Sequence, residues 1–210
     1  MCPTLRQEPR RMSEQPRNTR EKIQKTAIEL FSEQGYEQTS LREIADRLGV
    51  TKAALYYHFK TKEEIAASFF DSYASDVDEI CEWAEGEPRS IETRIEIVRR
   101  YSEVIQAHVP VLKFMYHNQA ALSRLDRGSI FRERIIRLHN LMVDENDPLI
   151  NKLRAWDSLS SLYSAWITYR GARHADPGEL YDASMQISIS LLQANDAGTD
   201  TLPSQVAVPE

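Results

Sequence analysis

The residues with the most chemistry in common lie between Thr39 and Lys62, TSLREIADRLGVTKAALYYHFKTK. Thr51, Lys52, Ala53 and Ala54 offer in succession a hydroxyl, an amine and two methyl-sized side chains. A helix that enters a major groove needs small residues so that its backbone can approach the base edges. It also needs donors that hold the phosphates on either side. Thr51, Lys52, Ala53 and Ala54 are therefore expected at base edges, with Arg42 a second candidate from the preceding helix. Thr39, Ser40, Tyr56, Tyr57, His58, Lys60 and Lys62 are expected at phosphates, Tyr57 and Lys62 foremost. Taken singly, each fits a plain helical hairpin with tyrosines in its core and lysines in water. The joint pattern points to double-stranded DNA.

Two short helices must hold these groups. Leu41, Ile44, Ala45 and Leu48 recur at the spacing of one helix face. Ser40 and Glu43 form a capping box that sets where this helix begins, and Gly49 suits a left-handed residue at its end. Thr51 can cap the second helix, with Leu55 and Phe59 on its inner face. An earlier helix is predicted from a cap at Asn18 or Thr19 to about Gln34, burying Ile23, Ala27, Leu30 and Phe31 and ending at Gly35. It braces the pair into a three-helix domain over 18–62.

Residues 19–64 resemble the N-terminal domain of TetR-type transcriptional regulators. The resemblance is carried by Ile23, Ala27, Leu30, Phe31, Gly35, Tyr36 and Thr39, the IAxxxGV run from Ile44 to Val50, and LYYHF with Lys62 and Glu63. It covers about a fifth of the chain, and beyond it only length and helical character match.

The formal net charge of −6 divides unevenly. Residues 1–62 hold 12 Lys/Arg against 8 Asp/Glu, and the remainder 14 against 24. The basic part is the part with the helix-turn-helix, so the asymmetry suits two functions on one chain. Cys2 and Cys81 cannot form a zinc site alone and no CxxC is present, so a buried or incidental thiol is expected at Cys81 rather than a redox switch. No cofactor is implied. No apolar run approaches the ~18–20 residues that cross a bilayer and no signal peptide is evident, which predicts a cytoplasmic protein without a membrane partner.

Residues 1–17 read as a disordered arm whose Arg10, Arg11 and Arg17 either enter a minor groove or merely solubilise, and Met12 offers a second start. Thr61 and Glu64 form another capping box, opening a long helix to about Glu85 that joins the two domains before Gly86–Glu87–Pro88 breaks it. A helix from Ser90 carries apolar residues on two faces and is interrupted by Pro110. A helix near Ser129–Val143 turns Ile135, Leu138 and Met142 inward and Arg132, Arg134 and Arg137 outward. Asp147–Pro148 starts a helix to about Gly171, and Asp176–Pro177–Gly178–Glu179 starts the last, to about Ala194. Residues 195–210 read as a disordered tail. No strand ladder or internal repeat is evident, so the fold class is all-α, an N-terminal helix-turn-helix domain followed over 63–194 by a helical effector-binding and dimerisation domain.

The resemblance implies a homodimer through roughly 148–194, with the last two helices of each subunit forming a four-helix bundle. Trp156, Tyr163 and Trp166 supply apolar surface for it, although some of them belong to the monomer core. A dimer is also expected because one short helix reads too few base pairs for a specific site. The resemblance further implies a small-molecule effector in the second domain. Candidate walls are Trp83, Tyr101, His108, Phe114, Met115, Tyr116 and His117 on one side and Trp156, Tyr163 and Trp166 on the other. His108 and His117, even with Asp126 or Glu133, lack any metal or catalytic motif, so no enzyme is expected. The reading is a repressor released from a palindromic operator when the effector tilts the helix over 61–85. The alternative keeps DNA binding but gives the second domain a protein partner.

Overall fold

In the computed structural model, which describes residues 14–118, 128–169 and 175–194, all regular structure is helical. Helix α1 (Glu14–Gln34) starts earlier than the predicted cap at Asn18 or Thr19. Pro16 permits this, because the amides of a first helical turn have no intrahelical partner to lose. Residues 14–17 thus belong to α1 rather than to the expected arm. Cys2, Arg10, Arg11, Met12, Asp126, Gly171 and the tail over 195–210 lie outside the described residues.

Helix α2 (Leu41–Leu48) opens on the predicted capping box. The Ser40 hydroxyl accepts from the Glu43 N–H at 3.3 Å, and the Glu43 carboxylate accepts from the Ser40 N–H at 2.8 Å. It closes on Gly49 at φ +71°, where the N–H groups of Gly49 and Val50 donate to the Asp46 and Ala45 carbonyls at 3.2 and 3.0 Å. The Val50 bond needs that left-handed backbone, which an L side chain disfavours. Helix α3 (Lys52–His58) is capped by the Thr51 hydroxyl, which accepts from the Ala54 N–H at 3.2 Å. Helix α4 (Lys62–Glu85) is capped by Thr61, which accepts from the Glu64 N–H at 3.1 Å. The Glu64 carboxylate reaches the Lys60 N–H at 2.6 Å, so the predicted box closes one residue earlier than expected.

The chain forms two compact units, Met1–Phe69 and Phe70–Glu210. The division falls inside α4, not at its start. The first turns of α4 bury Ile65, Ala66 and Phe69, with Phe69 edge-on to Phe31 at 6.2 Å and the Gln24 amide donating to the Ser68 hydroxyl at 2.8 Å. Ile23, Ala27, Leu30, Phe31, Ile44, Ala45, Leu55 and Phe59 are among the buried side chains of this unit's three shorter helices and their connections.

In the second unit the core of α4 packs with α5 (Ile91–Ala107), α6 (Val109–His117), α7 (Gly128–Met142), α8 (Leu149–Tyr163) and α9 (Pro177–Gln193). Tyr73, Val77, Ile97, Ile105, Leu112, Leu138, Met142 and Leu162 are buried there. Cys81 is buried with them, and burial pushes its thiol up to about 11. Pro148, not Asp147, occupies the cap position of α8. The Asp147 carboxylate instead accepts from the Asp144 N–H at 2.8 Å, spending the group that was expected to cap the helix. Beyond Tyr163 the helix widens into a π-type turn over Ser164–Tyr169. Asp176 caps α9 as predicted, accepting from the N–H groups of Gly178 and Glu179 at 2.9 and 3.1 Å. Helices α8 and α9 meet along small hydroxyl residues: the Ser188 hydroxyl lies 2.8 Å from the Ser158 carbonyl and 2.9 Å from the Ser161 hydroxyl.

The arginines of α7 are not simply a solvated face. Arg134 Nε lies 2.7 Å from Asp78, and Arg137 lies 2.7 Å from Glu85 and 3.3 Å from Asp78, all on the second-unit part of α4.

Candidate nucleic-acid interface

Helix α3 is oriented by what it buries. With Leu55 and Phe59 turned inward, Thr51, Lys52, Ala53 and Ala54 are left exposed in sequence on its first turn. Tyr57 is 78% exposed, with its ring edge-on to His58 at 5.2 Å. Tyr56 is half-buried, and Lys52 Nζ lies 5.3 Å from the centre of its ring. Lys60 is exposed and donates to the Tyr56 carbonyl at 2.5 Å. Arg42, on the neighbouring helix, is exposed and faces Asp46 at 3.7 Å. Ser40 is exposed as well, but its hydroxyl serves the cap and lies 2.8 Å from Glu43. Those bonds from Ser40 hold the Glu43 carboxyl below its ordinary value.

Two of the residues expected at phosphates are turned inward. The Thr39 hydroxyl is buried, donating to the Gly35 carbonyl at 2.8 Å and accepting from the Gln34 amide at 3.2 Å. Lys62 Nζ donates to the carbonyls of Tyr36 and Glu37 at 2.9 and 3.2 Å and sits 4.5 Å over the Tyr36 ring. The Tyr36 phenol is pushed up, chiefly by burial and then by the nearby Glu63 and Glu37. Sequence reasoning missed Arg20, whose guanidinium lies 4.2 Å over the Phe59 ring and 3.4 Å from the His58 carbonyl. It adds a cation at the C-terminal end of α3, where the helix dipole favours one. No local pattern marks a partner 38 residues away.

The effector candidates separate in the same way. Tyr101, Trp156 and Tyr163 come together with Ile135, Leu159 and Ser160 around a cavity of about 150 Å³. Ile135, Leu159 and Ser160 were overlooked as wall residues, although Ser160 shares a face of α8 with Trp156 and Tyr163. The other candidates sit elsewhere in the unit. Trp83 carries the Arg100 guanidinium at 3.9 Å, and His108 Nε2 lies 2.6 Å from the Asp76 carboxylate. Phe114 and Trp166 are buried, Met115 packs against the core, and Tyr116 is exposed and edge-on to His117 at 5.4 Å. Among the described residues no group of three or more His, Cys, Asp or Glu is arranged to hold a metal ion.

Residues 23–69 match the family described as bacterial regulatory proteins, tetR family. The HTH-type transcriptional regulator AcrR of Shigella flexneri is 38% identical over 71 residues, covering 34% of this chain and 33% of that protein. IcaR of Staphylococcus epidermidis, the HTH-type negative transcriptional regulator of the biofilm operon icaADBC, is 50% identical over 46 residues, or 22% of this chain and 25% of that one. The chain thus spans a third or less of these curated relatives. In fold the likeness extends further. The TetR-family regulator PfmR of Thermus thermophilus superposes with a TM-score of 0.64 at 23% identity, covering 81% of this chain and 97% of that chain. The fatty acid degradation regulator FadR of Bacillus halodurans does so with a TM-score of 0.64 at 17% identity, covering 82% and 94%.

Proposed function

We propose that the chain, whose residues 23–69 match the tetR family of bacterial regulatory proteins, works as a homodimeric repressor of a palindromic operator, released by a small molecule bound in Phe70–Glu210. The observation that carries the reading is α3, a helix capped at its start and anchored by Leu55, whose exposed first turn holds only small or hydrogen-bonding side chains. Thr51, Lys52, Ala53 and Ala54 meet base edges, with Arg42 beside them, while Ser40, Tyr56, Tyr57, His58 and Lys60 hold phosphates. The negative regulation named for IcaR supports repression over activation.

A second copy of the chain is the partner of α8 and α9. Leu149, Leu153 and Trp156 are exposed at i, i+4 and i+7 along α8, and Ile187 is exposed on α9. An apolar stripe of this kind is covered in the working protein, and a two-fold copy covers it with itself. Dimer symmetry then places two copies of α3 on two half-sites.

Release runs through α7 and α4. Ile135 of α7 lines the cavity, and its neighbours Arg134 and Arg137 grip Asp78 and Glu85 of α4. A ligand that displaces α7 displaces α4 with it, and α4 continues without a break to Lys62. Ligand and operator must then weaken each other's binding by the same factor. The repressor acts where its DNA is, in the cytoplasm. No helix among the described residues is long and apolar enough to cross a membrane.

The test is binding of the purified protein to DNA from its own upstream region, beside a scrambled duplex, across a salt series. Tight, sequence-dependent binding with a steep salt slope is expected. Equally weak binding to both duplexes, and to genomic fragments selected in vitro, overturns the reading.

A further inference from the structure

Resting on the reading of Phe70–Glu210 as a sensor, we propose that the cavity between α5, α7 and α8 takes an uncharged, single-ring aromatic compound bearing one hydrogen-bond acceptor. Size is the first argument. The cavity holds about 150 Å³, the volume at which an apolar protein cavity accepts benzene. Sites for drug-sized ligands start at about 300 Å³. The enclosed part of the site therefore suits a single ring.

The second argument is charge. Tyr101, Ile135, Trp156, Leu159, Ser160 and Tyr163 line the cavity, and none of them is ionic. A carboxylate placed there loses its water and gains no counter-charge. The Tyr101 phenol is pushed up to about 12 by burial, and Tyr163 is pushed up by burial and then by the neighbouring Tyr116. Both therefore stay protonated in neutral solution and act as hydrogen-bond donors.

The third argument gives the donor a direction. The Tyr73 hydroxyl donates to the Tyr101 hydroxyl at 2.9 Å. The proton of Tyr101 is then left to give to another acceptor, and Tyr101 forms part of the cavity wall. The rings of Tyr101, Trp156 and Tyr163 supply the aromatic surface against which a ligand ring packs edge-on or offset. An acceptor oxygen on that ring answers the Tyr101 hydroxyl.

Phenol, toluene and benzoate separate these arguments, because phenol carries a hydroxyl where toluene carries a methyl of similar size and benzoate carries a charged carboxylate. Binding to the intact chain is followed by tryptophan fluorescence, since Trp156 is in the wall, and by the shift in melting temperature. Phenol is expected to bind saturably, about 10-fold tighter than toluene for one net hydrogen bond. Benzoate is expected to bind more than about 30-fold weaker than phenol because its charge is unpaired. Tyr101→Phe should bring phenol to the affinity of toluene and leave toluene within about 2-fold, since only the donor is lost. Ile135→Phe should abolish binding of both by filling the space, and it keeps the test open if Tyr101→Phe does not fold.

Benzoate binding as tight as phenol overturns the proposal. So does a Tyr101→Phe chain that loses phenol and toluene equally, an Ile135→Phe chain that binds phenol unchanged, or a wild-type chain with no saturable phenol binding. Operator binding is measured separately in the absence of any ligand. Tight operator binding with no phenol binding refutes the ligand class alone, whereas phenol binding without operator binding refutes the regulator reading and leaves the cavity assignment standing.

Discussion

Lys52 and Lys62 carry the same charge but are held differently, and that difference predicts opposite consequences for the same substitution. Lys62 Nζ donates to two backbone carbonyls at 2.9 and 3.2 Å, lies 4.5 Å over the Tyr36 ring, and has a side chain only 20% exposed. Lys52 is exposed, with the Tyr56 ring 5.3 Å from its ammonium. Methionine in place of either keeps a flexible unbranched stem and removes the charge. A hydrogen bond from a charged donor nets about 1.5–3 kcal/mol, and an exposed cation–π contact about 0.5–1 kcal/mol. The Glu37 carboxylate 3.6 Å away is 74% exposed and adds little. Water replaces part of what is lost at a partly exposed site, so Lys62→Met should cost about 2 kcal/mol. For a chain of this length each kcal/mol moves Tm by about 2–4 °C, giving a drop of about 4–8 °C. Lys52→Met should change stability by less than about 0.5 kcal/mol. On DNA the order reverses. In the proposed complex the Lys52 ammonium lies in the groove between the two phosphate backbones, and a cation that neutralises phosphate charge there releases a counterion, worth about 0.9 in the slope of log affinity against log salt. A dimer loses two, so Lys52→Met should flatten the slope by about 1.8, with Lys62→Met leaving it within error. Calorimetric melting and anisotropy titrations of an operator duplex at several salt concentrations measure both quantities. A Lys62→Met protein that melts like wild type and shows the flattened slope would refute the reasoning, since its ammonium would then be at a phosphate.

Three further outcomes follow from particular residues. Gly49→Ala should cost about 1–2 kcal/mol in urea unfolding; a Cβ there meets nothing within 4 Å, so the cost comes from the backbone at φ +71° alone. Leu153→Glu, at a residue 49% exposed between Leu149 and Trp156 on α8, should convert the dimer to a folded monomer in sedimentation and weaken operator binding with it. Hydrogen bonds from Arg99, and then Arg100, hold the Glu96 carboxyl down from its ordinary 4.5 to about 2. Glu96→Gln should cost about 1 kcal/mol at pH 7 once solvent screening is allowed for. Because the folded-state value is depressed, that stability is full above about 4.5 and is lost as pH falls toward 2, so wild type and Glu96→Gln should converge in denaturant titrations across that window.

The parts of this molecule legible in the chain are those made by neighbours in sequence. The Ser40–Glu43 box, the left-handed Gly49 and the caps at Thr51 and Asp176 join atoms within four residues, so residue type and spacing are enough to place them. The buried stripe of α1 and the inward Leu55 follow from helical period in the same way. Where a local reading failed, a competing local bond was responsible: Asp147 serves the Asp144 amide, and Glu64 the Lys60 amide. What no spacing rule could supply is the choice of distant partner. Lys62 looked like a phosphate ligand because nothing near it in sequence shows that the carbonyl of Tyr36, 26 residues earlier, would take its ammonium. Arg134 and Arg137 looked solvated for the same reason, their acids lying more than 50 residues back on α4. Of ten candidate wall residues, three meet at one cavity, because a wall is made by side chains on α5, α7 and α8 at once. The sequence by itself determined the helices, their caps and the polar, small-residue face of α3, because those depend on bonds and periods within a few residues. Only the tertiary structure decided which cations are held by backbone carbonyls, which stay exposed and which aromatics enclose space, because those depend on packing between segments that the chain brings together from far apart.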